Sequence, residues 1–318
     1  MLRQNTAVDL ILDSGAFSAW MKKIEIDIDE YIEFCLKYLQ YITYIVNLDV
    51  IPGRYGQKNI PISEVERSAE KGWKNYEYIL SKGIPKEKLI HVFHQGEKFK
   101  WLKQMVDNDM EYIGLSPAND RTTDEKIKWL DGCMEYVIDN KGYPRVKFHG
   151  FAVTSLRIML RYPWYSVDST SWVMTSRMGS VYVPRYRQGE YIYDQDSWKV
   201  AVSSRSPNKK EAGKHIESFP PAQRQIILDY FSHKGFSLGK SEFKKEGKGY
   251  KLKEGEKWFG KKEGDGSREV EVVVERGLCN DYKMRDEMNI IYFLDLEKSI
   301  PEWPWAFEAK NKMSGFGL

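Results

Sequence analysis

The chain predicts an α/β fold: a (β/α)8-type barrel, complete or short of strands, followed by a C-terminal α/β appendage that carries a basic arm. Three observations lead there. From residue 10 to about 172, short β-branched runs alternate with longer amphipathic stretches, the pattern of a parallel sheet covered by helices. Those apolar runs end, one after another, in polar or small residues. After residue 205 the texture changes. At 318 residues, 42% of them hydrophobic, the chain can bury a large core and is long enough for a barrel plus a second module.

Strands are expected at Leu10–Phe17, Thr43–Asp49, Leu89–Gln95, Tyr112–Ser116, Val146–Val153 and Tyr165–Asp168. Helices fill the gaps. Asp27 or Asp29 can open the first, whose Tyr31, Phe34, Cys35 and Tyr38 share a face at 3.6-residue spacing. Ser63-Glu64-Val65-Glu66 and Thr122-Thr123-Asp124-Glu125 read as capping boxes, in which a hydroxyl and a carboxylate satisfy orphan amides. Two further runs, Val181–Arg185 and Trp198–Val202, either complete the count of eight or begin another module. The expected division is a barrel over residues 1–205 and a C-terminal region over 206–318.

Within that region Phe219–Phe231 and Arg285–Ile300 read as helices, and Pro301-Glu302-Trp303-Pro304-Trp305 as a tail packed by its tryptophans. Between the helices, about 232–266, lysines including Lys244 and Lys245 alternate with glycines and with Phe243, Tyr250, Trp258 and Phe259. Such a stretch buries little and suits a mobile basic arm for a phosphate backbone. A solvated surface insertion is the competing reading.

The net charge of +3 and a pI near 8.4 are too mild to name a partner. Cys35, Cys133 and Cys279 are widely spaced and include no CxxC pair, which argues against a disulfide framework and a cysteine zinc site. No window reaches the length of a membrane span. The expectation is a soluble protein of a reducing cytoplasm, the host's if the source is viral, with no cofactor.

In such barrels the chemistry sits where strands end, because the loops there converge on one mouth. Leu12-Asp13-Ser14-Gly15-Ala16-Phe17 and Ser166-Val167-Asp168-Ser169-Thr170 each place a lone aspartate at that point. Between them come Asn47-Leu48-Asp49, Phe93-His94-Gln95-Gly96, Ile113-Gly114-Leu115-Ser116 and Phe148-His149-Gly150-Phe151. A single strand-end aspartate is often only a helix cap or turn former. Two of them, in this order, point to catalysis.

The order of these motifs resembles the tRNA-guanine transglycosylase superfamily, whose fold is a TIM barrel; the likeness covers roughly residues 10–175. The short chain and the missing zinc cysteines look more like the phage DNA 7-deazaguanine transglycosylases than the tRNA enzymes. The chain departs from the tRNA enzymes at Ala16, where a second glycine is usual, and at Ser169-Thr170-Ser171-Trp172, where Cys-Val/Met-Pro-Thr-Arg is absent. The resemblance implies that Asp168 is the nucleophile that forms a covalent sugar ester and Asp13 the general acid/base. It further implies that Asp49 and Gln95 read the guanine edge, that Gly114 and Leu115 offer backbone groups, that Phe17 stacks on the base, and that His149 walls the far side.

The implied partners are guanine, a free 7-deazaguanine base, and DNA or, as the alternative, tRNA. Arg54, Arg177, Arg185, Arg187, Lys244 and Lys245 are the expected phosphate contacts, chosen by charge and position. Two other readings compete. A metal hydrolase could enlist His91, His94, His149, Asp13 and Asp168, but His91 and His94, three apart, leave opposite faces of a strand. A catalytically inactive nucleic-acid-binding barrel would bind without either aspartate.

Overall fold

The computed structural model describes residues 9–54, 57, 59–153, 155–206 and 213–308. They form two compact units: the chain up to Ser169 together with the segment from Glu302, and Thr170–Pro301.

The first unit runs β1 (Ile11–Leu12), α1 (Ala16–Lys22), α2 (Ile28–Tyr38), β2 (Tyr44–Val46), α3 (Ile62–Ser81), β3 (Leu89–His94), α4 (Phe99–Asp107), β4 (Tyr112–Ser116), α5 (Thr123–Val137), β5 (Lys147–Gly150), α6 (Leu156–Met159) and β6 (Ser166–Val167). Each of the six strands lies within its expected run, but the first is shorter than expected: it stops at Leu12, and Ala16 and Phe17 open α1. The strands form one sheet in sequential order, each parallel to the last, with register Ile11↔Tyr44, Ile45↔Leu89, His91↔Ile113, Gly114↔His149 and His149↔Ser166. The sheet is curled like part of a barrel. A flat sheet would hold the ends of β1 and β6 about 24 Å apart, five strand spacings, yet Asp13 just after β1 feels the charge of Asp168 just after β6.

Alternation along each strand sorts the side chains. Ile45, Phe93, Ile113, Leu115 and Phe148 are wholly buried, and Phe93 stacks on Trp129 of α5 at 5.6 Å, so this row faces the helices. Burying each such side chain contributes about 1.5–3 kcal/mol. The opposite row, Tyr44, Tyr112, Lys147 and Ser166, meets on the concave side: Tyr112 packs edge-on against Tyr44 at 4.8 Å, and the Lys147 ammonium donates to the Tyr44 hydroxyl at 3.1 Å.

Of the helix starts, Asp27 caps α2 and Thr122 with Glu125 forms a complete capping box on α5. The box expected at Ser63 does not form. Helix α3 begins at Ile62 after Pro61, Glu64 accepts from the Gly53 amide at 3.0 Å, and Glu66 is drawn away by Lys100 and Lys98 at 2.7 and 3.3 Å. In α2 the buried face is Tyr31, Ile32 and Cys35, while Phe34 is exposed against Tyr38. Trp303 of the tail donates to the Pro163 carbonyl at 3.1 Å and packs on Tyr165.

The second unit contains α7 (Ser171–Arg177), β7 (Ser180–Val183), β8 (Arg185–Arg187), β9 (Glu190–Ile192), β10 (Trp198–Ala201), α8 (Pro221–His233), β11 (Lys240–Glu246), β12 (Glu256–Phe259), β13 (Arg268–Glu275) and α9 (Tyr282–Ser299). The two runs held in reserve for the barrel are β7 and β10. They pair antiparallel with each other, not with the six-stranded sheet. Their inward residues Val181, Val183, Val200 and Val202 share one core with Ile216, Phe219, Ile227, Phe231, Leu278 and Met288. The expected boundary after residue 205 therefore falls inside this unit. The lysine-rich stretch is not a bare arm either: β11 and β12 flank β13 in a three-stranded antiparallel sheet, anchored by Val270 and Glu271, both buried. No helix among the described residues is long and apolar enough to cross a membrane.

Candidate active site

The carboxyl ends of β1, β2, β3, β5 and β6 deliver a cluster of ionisable groups to one mouth. Asp13 and Asp168 are both solvent-accessible there. Their surroundings push them in opposite directions. Partial burial, then the negative charges of Asp49 and Asp168, raises the Asp13 pKa above the ordinary aspartate value, against opposing hydrogen bonds from the Ser14 and Gly15 amides. Partial burial would raise Asp168 as well, but hydrogen bonds from His149 and the Ala152 amide outweigh it and hold that carboxyl below its ordinary value. Two carboxylates with diverging pKa values are the arrangement expected of a proton donor beside an ionised partner.

Local structure makes the Asp168 environment. Ala152 sits at φ 52, a left-handed conformation rare for a side-chain-bearing residue, and its amide donates to Asp168 Oδ1 at 2.9 Å. His149 is buried on β5, with Nε2 3.4 Å from the same Oδ1. Its Nδ1 meets the Ser166 hydroxyl, which meets the Tyr112 hydroxyl. The chain is satisfied when Tyr112 donates to Ser166, Ser166 to His149 and His149 to Asp168. Both of these contacts fall on Oδ1, and the Asp168 amide adds a further stabilising interaction with the carboxylate.

Opposite lies a second network. His94, the last residue of β3, places Nε2 2.7 Å from Asp49 Oδ2 and Nδ1 2.9 Å from Glu97 Oε1. Burial disfavours its charge, but the two carboxylates prevail and push the imidazole up to about 10, so both nitrogens donate. Asp49 also accepts from Ser14 Oγ at 3.4 Å, which ties the β2 end to the β1 end. Behind these groups a cavity of about 10 Å³ has room for one water, not a base.

Several sequence expectations change at this point. Gln95 is spent on scaffolding: its carbonyl oxygen accepts from the Ala118 amide at 3.0 Å and its amide donates to the Glu125 carbonyl at 3.3 Å. The Leu115 side chain is buried in the outer row, and its carbonyl accepts from the Phe151 amide at 3.0 Å in the sheet ladder. Gly114 keeps the space above it clear for Phe151, because a Cβ there would lie 2.5 Å from that ring. Phe151 also packs edge-on against His149 at 4.5 Å. Phe17 on α1 is 43% exposed and tilted against Trp20, available as a stacking face. His91 faces α3, 5.2 Å from the Tyr76 ring and 2.9 Å from Asn47 Nδ2, as strand alternation requires.

Sequence reading missed the roles of His94, Phe151, Ala152 and Ser166. The period-2 signal was there for Phe151, two residues beyond His149 and so on the same face. Nothing marked Ala152.

Of the expected phosphate contacts, Arg54 alone lies in this unit, exposed on the loop that follows Asp49. Lys244 is held by Glu256 at 2.8 Å and Glu246 at 3.0 Å, and Lys245 by Glu263 at 2.6 Å, so neither is a free charge. Arg185 donates to the Asp196 carbonyl and lies over Trp198, while Arg187 and Arg177 are exposed. Among the described residues no three His, Cys, Asp or Glu side chains are placed to hold a metal ion. Comparison with family models, curated proteins and solved structures finds no match.

Proposed function

We propose that the chain exchanges guanine in DNA for a 7-deazaguanine base, by way of a covalent aspartyl-sugar intermediate. The observation that carries this reading is the pairing of Asp13 and Asp168 across the sheet's concave mouth with pKa values displaced in opposite senses. Asp168, ionised and oriented by His149 and Ala152 through Oδ1, attacks the anomeric carbon as the bond to guanine breaks. Asp13 in its protonated form gives its proton to the departing base. It then takes the proton from the incoming base, whose ring nitrogen displaces Asp168 from the sugar and restores both carboxyls.

Asp49 retains lone pairs toward an incoming base, since among the described residues its side chain accepts only from His94 and the distant Ser14 hydroxyl. Phe17 and Phe151 supply apolar faces for stacking. A stacked duplex shields the anomeric carbon, so the nucleotide has to leave the helix to reach this mouth. The test is incubation with labelled guanine and matched DNA and tRNA, read by mass spectrometry of the recovered polymer. Label in DNA alone supports the proposal. Label in tRNA alone moves the reading to the tRNA enzymes, and binding without label in either makes the barrel a binding module.

A further inference from the structure

The second unit holds a cavity of about 530 Å³ bordered by the end of α7, by β12 and β13, and by the start of α9. That volume falls in the range of pockets that take small ligands. Arg177, Arg205, Lys257 and Arg285 line it against one carboxylate, Glu271. Arg205 lies 3.0 Å from Glu271 and offsets it. The other three cations have no ion-pair partner among the described residues.

Arg285 is the most telling. It is only 6% exposed, with Nε donating to the Ser176 carbonyl at 2.8 Å and Nη1 to the Leu278 carbonyl at 2.6 Å. A guanidinium has five N–H donors and does not lose its charge in a folded protein, so most of its donors remain to be met. Asp281, Asp286 and Glu271 offset its charge from a distance, but none of them pairs with it directly, and an anion in the adjoining cavity would supply that direct partner. Among the described residues Lys257 donates only to the Asn280 carbonyl, at 3.0 Å, and Arg177 is exposed at the end of its helix. Three cations from three elements suit a group with several anionic oxygens better than a carboxylate.

We propose that this cavity binds a phosphate ester of nucleotide size, its anionic oxygens on Arg285 and flanked by Arg177 and Lys257. The source is a free nucleotide or one unit of a polynucleotide, and the chemistry is common to both. The site lies wholly within residues 170–301, so it stands independently of base exchange in the first unit.

Calorimetric titration of the full chain with deoxyguanosine 5′-monophosphate, deoxyguanosine and inorganic phosphate tests it. The nucleotide is expected to bind at least about tenfold tighter than the nucleoside, with inorganic phosphate competing. The double variant Arg177→Gln/Lys257→Gln, at exposed positions and checked for folding by circular dichroism, is expected to weaken binding at least about tenfold. Arg285→Lys keeps the charge but not the fork and should also weaken it. Competition by a short single-stranded oligonucleotide identifies the polymer as the source; its absence identifies a free nucleotide. Equal affinity for nucleotide and nucleoside, or undiminished binding by the double variant, overturns the proposal. Asp168→Asn should leave this titration unchanged, so failure of base exchange and failure of this site are separable.

Discussion

At the end of β3 the chain offers two polar side chains in succession, and strand alternation lets only one enter the mouth. His94 takes that place and Gln95 turns to the α5 loop. Because His94 is held near 10 in the fold against 6.5 when free, its pairing with Asp49 and Glu97 is fully present below about pH 6.5 and is lost as pH rises through 10. Urea midpoints should therefore fall between pH 7 and 10 in the native chain, and His94→Gln should flatten that dependence. The substitution should also cost about 3 kcal/mol at pH 7, since it leaves two carboxylates facing one another. An unchanged slope would show that His94 is not charged in the fold.

The raised pKa of Asp13 means that its acid form, which the proposed reaction uses to release guanine, is depleted as pH rises through that value. Adduct formation should fall along this alkaline limb. Asp13→Asn should abolish the limb and slow release by about 10²–10⁴-fold, measured by single-turnover kinetics. The sequence made both aspartates legible because each ends an apolar run beside small residues. It could not show that His94 outcompetes Gln95, since that depends on which face of β3 looks inward, and two adjacent polar residues leave the choice open.

Among the elements, β4 and the turn after β5 are fitted to each other. Gly114 leaves a gap and Phe151 fills it. Gly114→Ala should destabilise by about 1–3 kcal/mol through overpacking, and adding Phe151→Ala should recover part of that loss; strictly additive effects in thermal melts would disprove the contact. The capping box of α5 is a second case: Thr122→Ala should cost about 1 kcal/mol, while Ser63→Ala should cost little because Ser63 caps nothing. The two motifs look alike in sequence. Only at Ser63 do Lys98 and Lys100 arrive from β3–α4 to take the glutamate, and that competition is tertiary. The six strands were readable because each is a short apolar run with a clear stop. The role of β7 and β10 was not, since an apolar run does not say whether its partner is parallel or antiparallel.

For the whole molecule, counting lysines overstated the free charge. Glutamates on β11, β12 and the following turn take up Lys244 and Lys245, whereas Arg54 is exposed on the loop that follows Asp49. Lys244→Ala with Lys245→Ala should leave the salt dependence of DNA binding nearly unchanged, and Arg54→Ala should reduce the slope by about one phosphate contact. The reverse ranking would restore the lysine stretch as the polymer contact. The proposed reaction requires Asp168 to bond to the sugar once the base has gone. Denaturing mass spectrometry of the chain mixed with guanine-containing DNA would reveal that bond. A protein–DNA adduct that free guanine reverses and that Asp168→Asn does not form is expected; an adduct of equal yield in that variant, or base exchange proceeding without Asp168, would rule out the aspartyl-sugar intermediate.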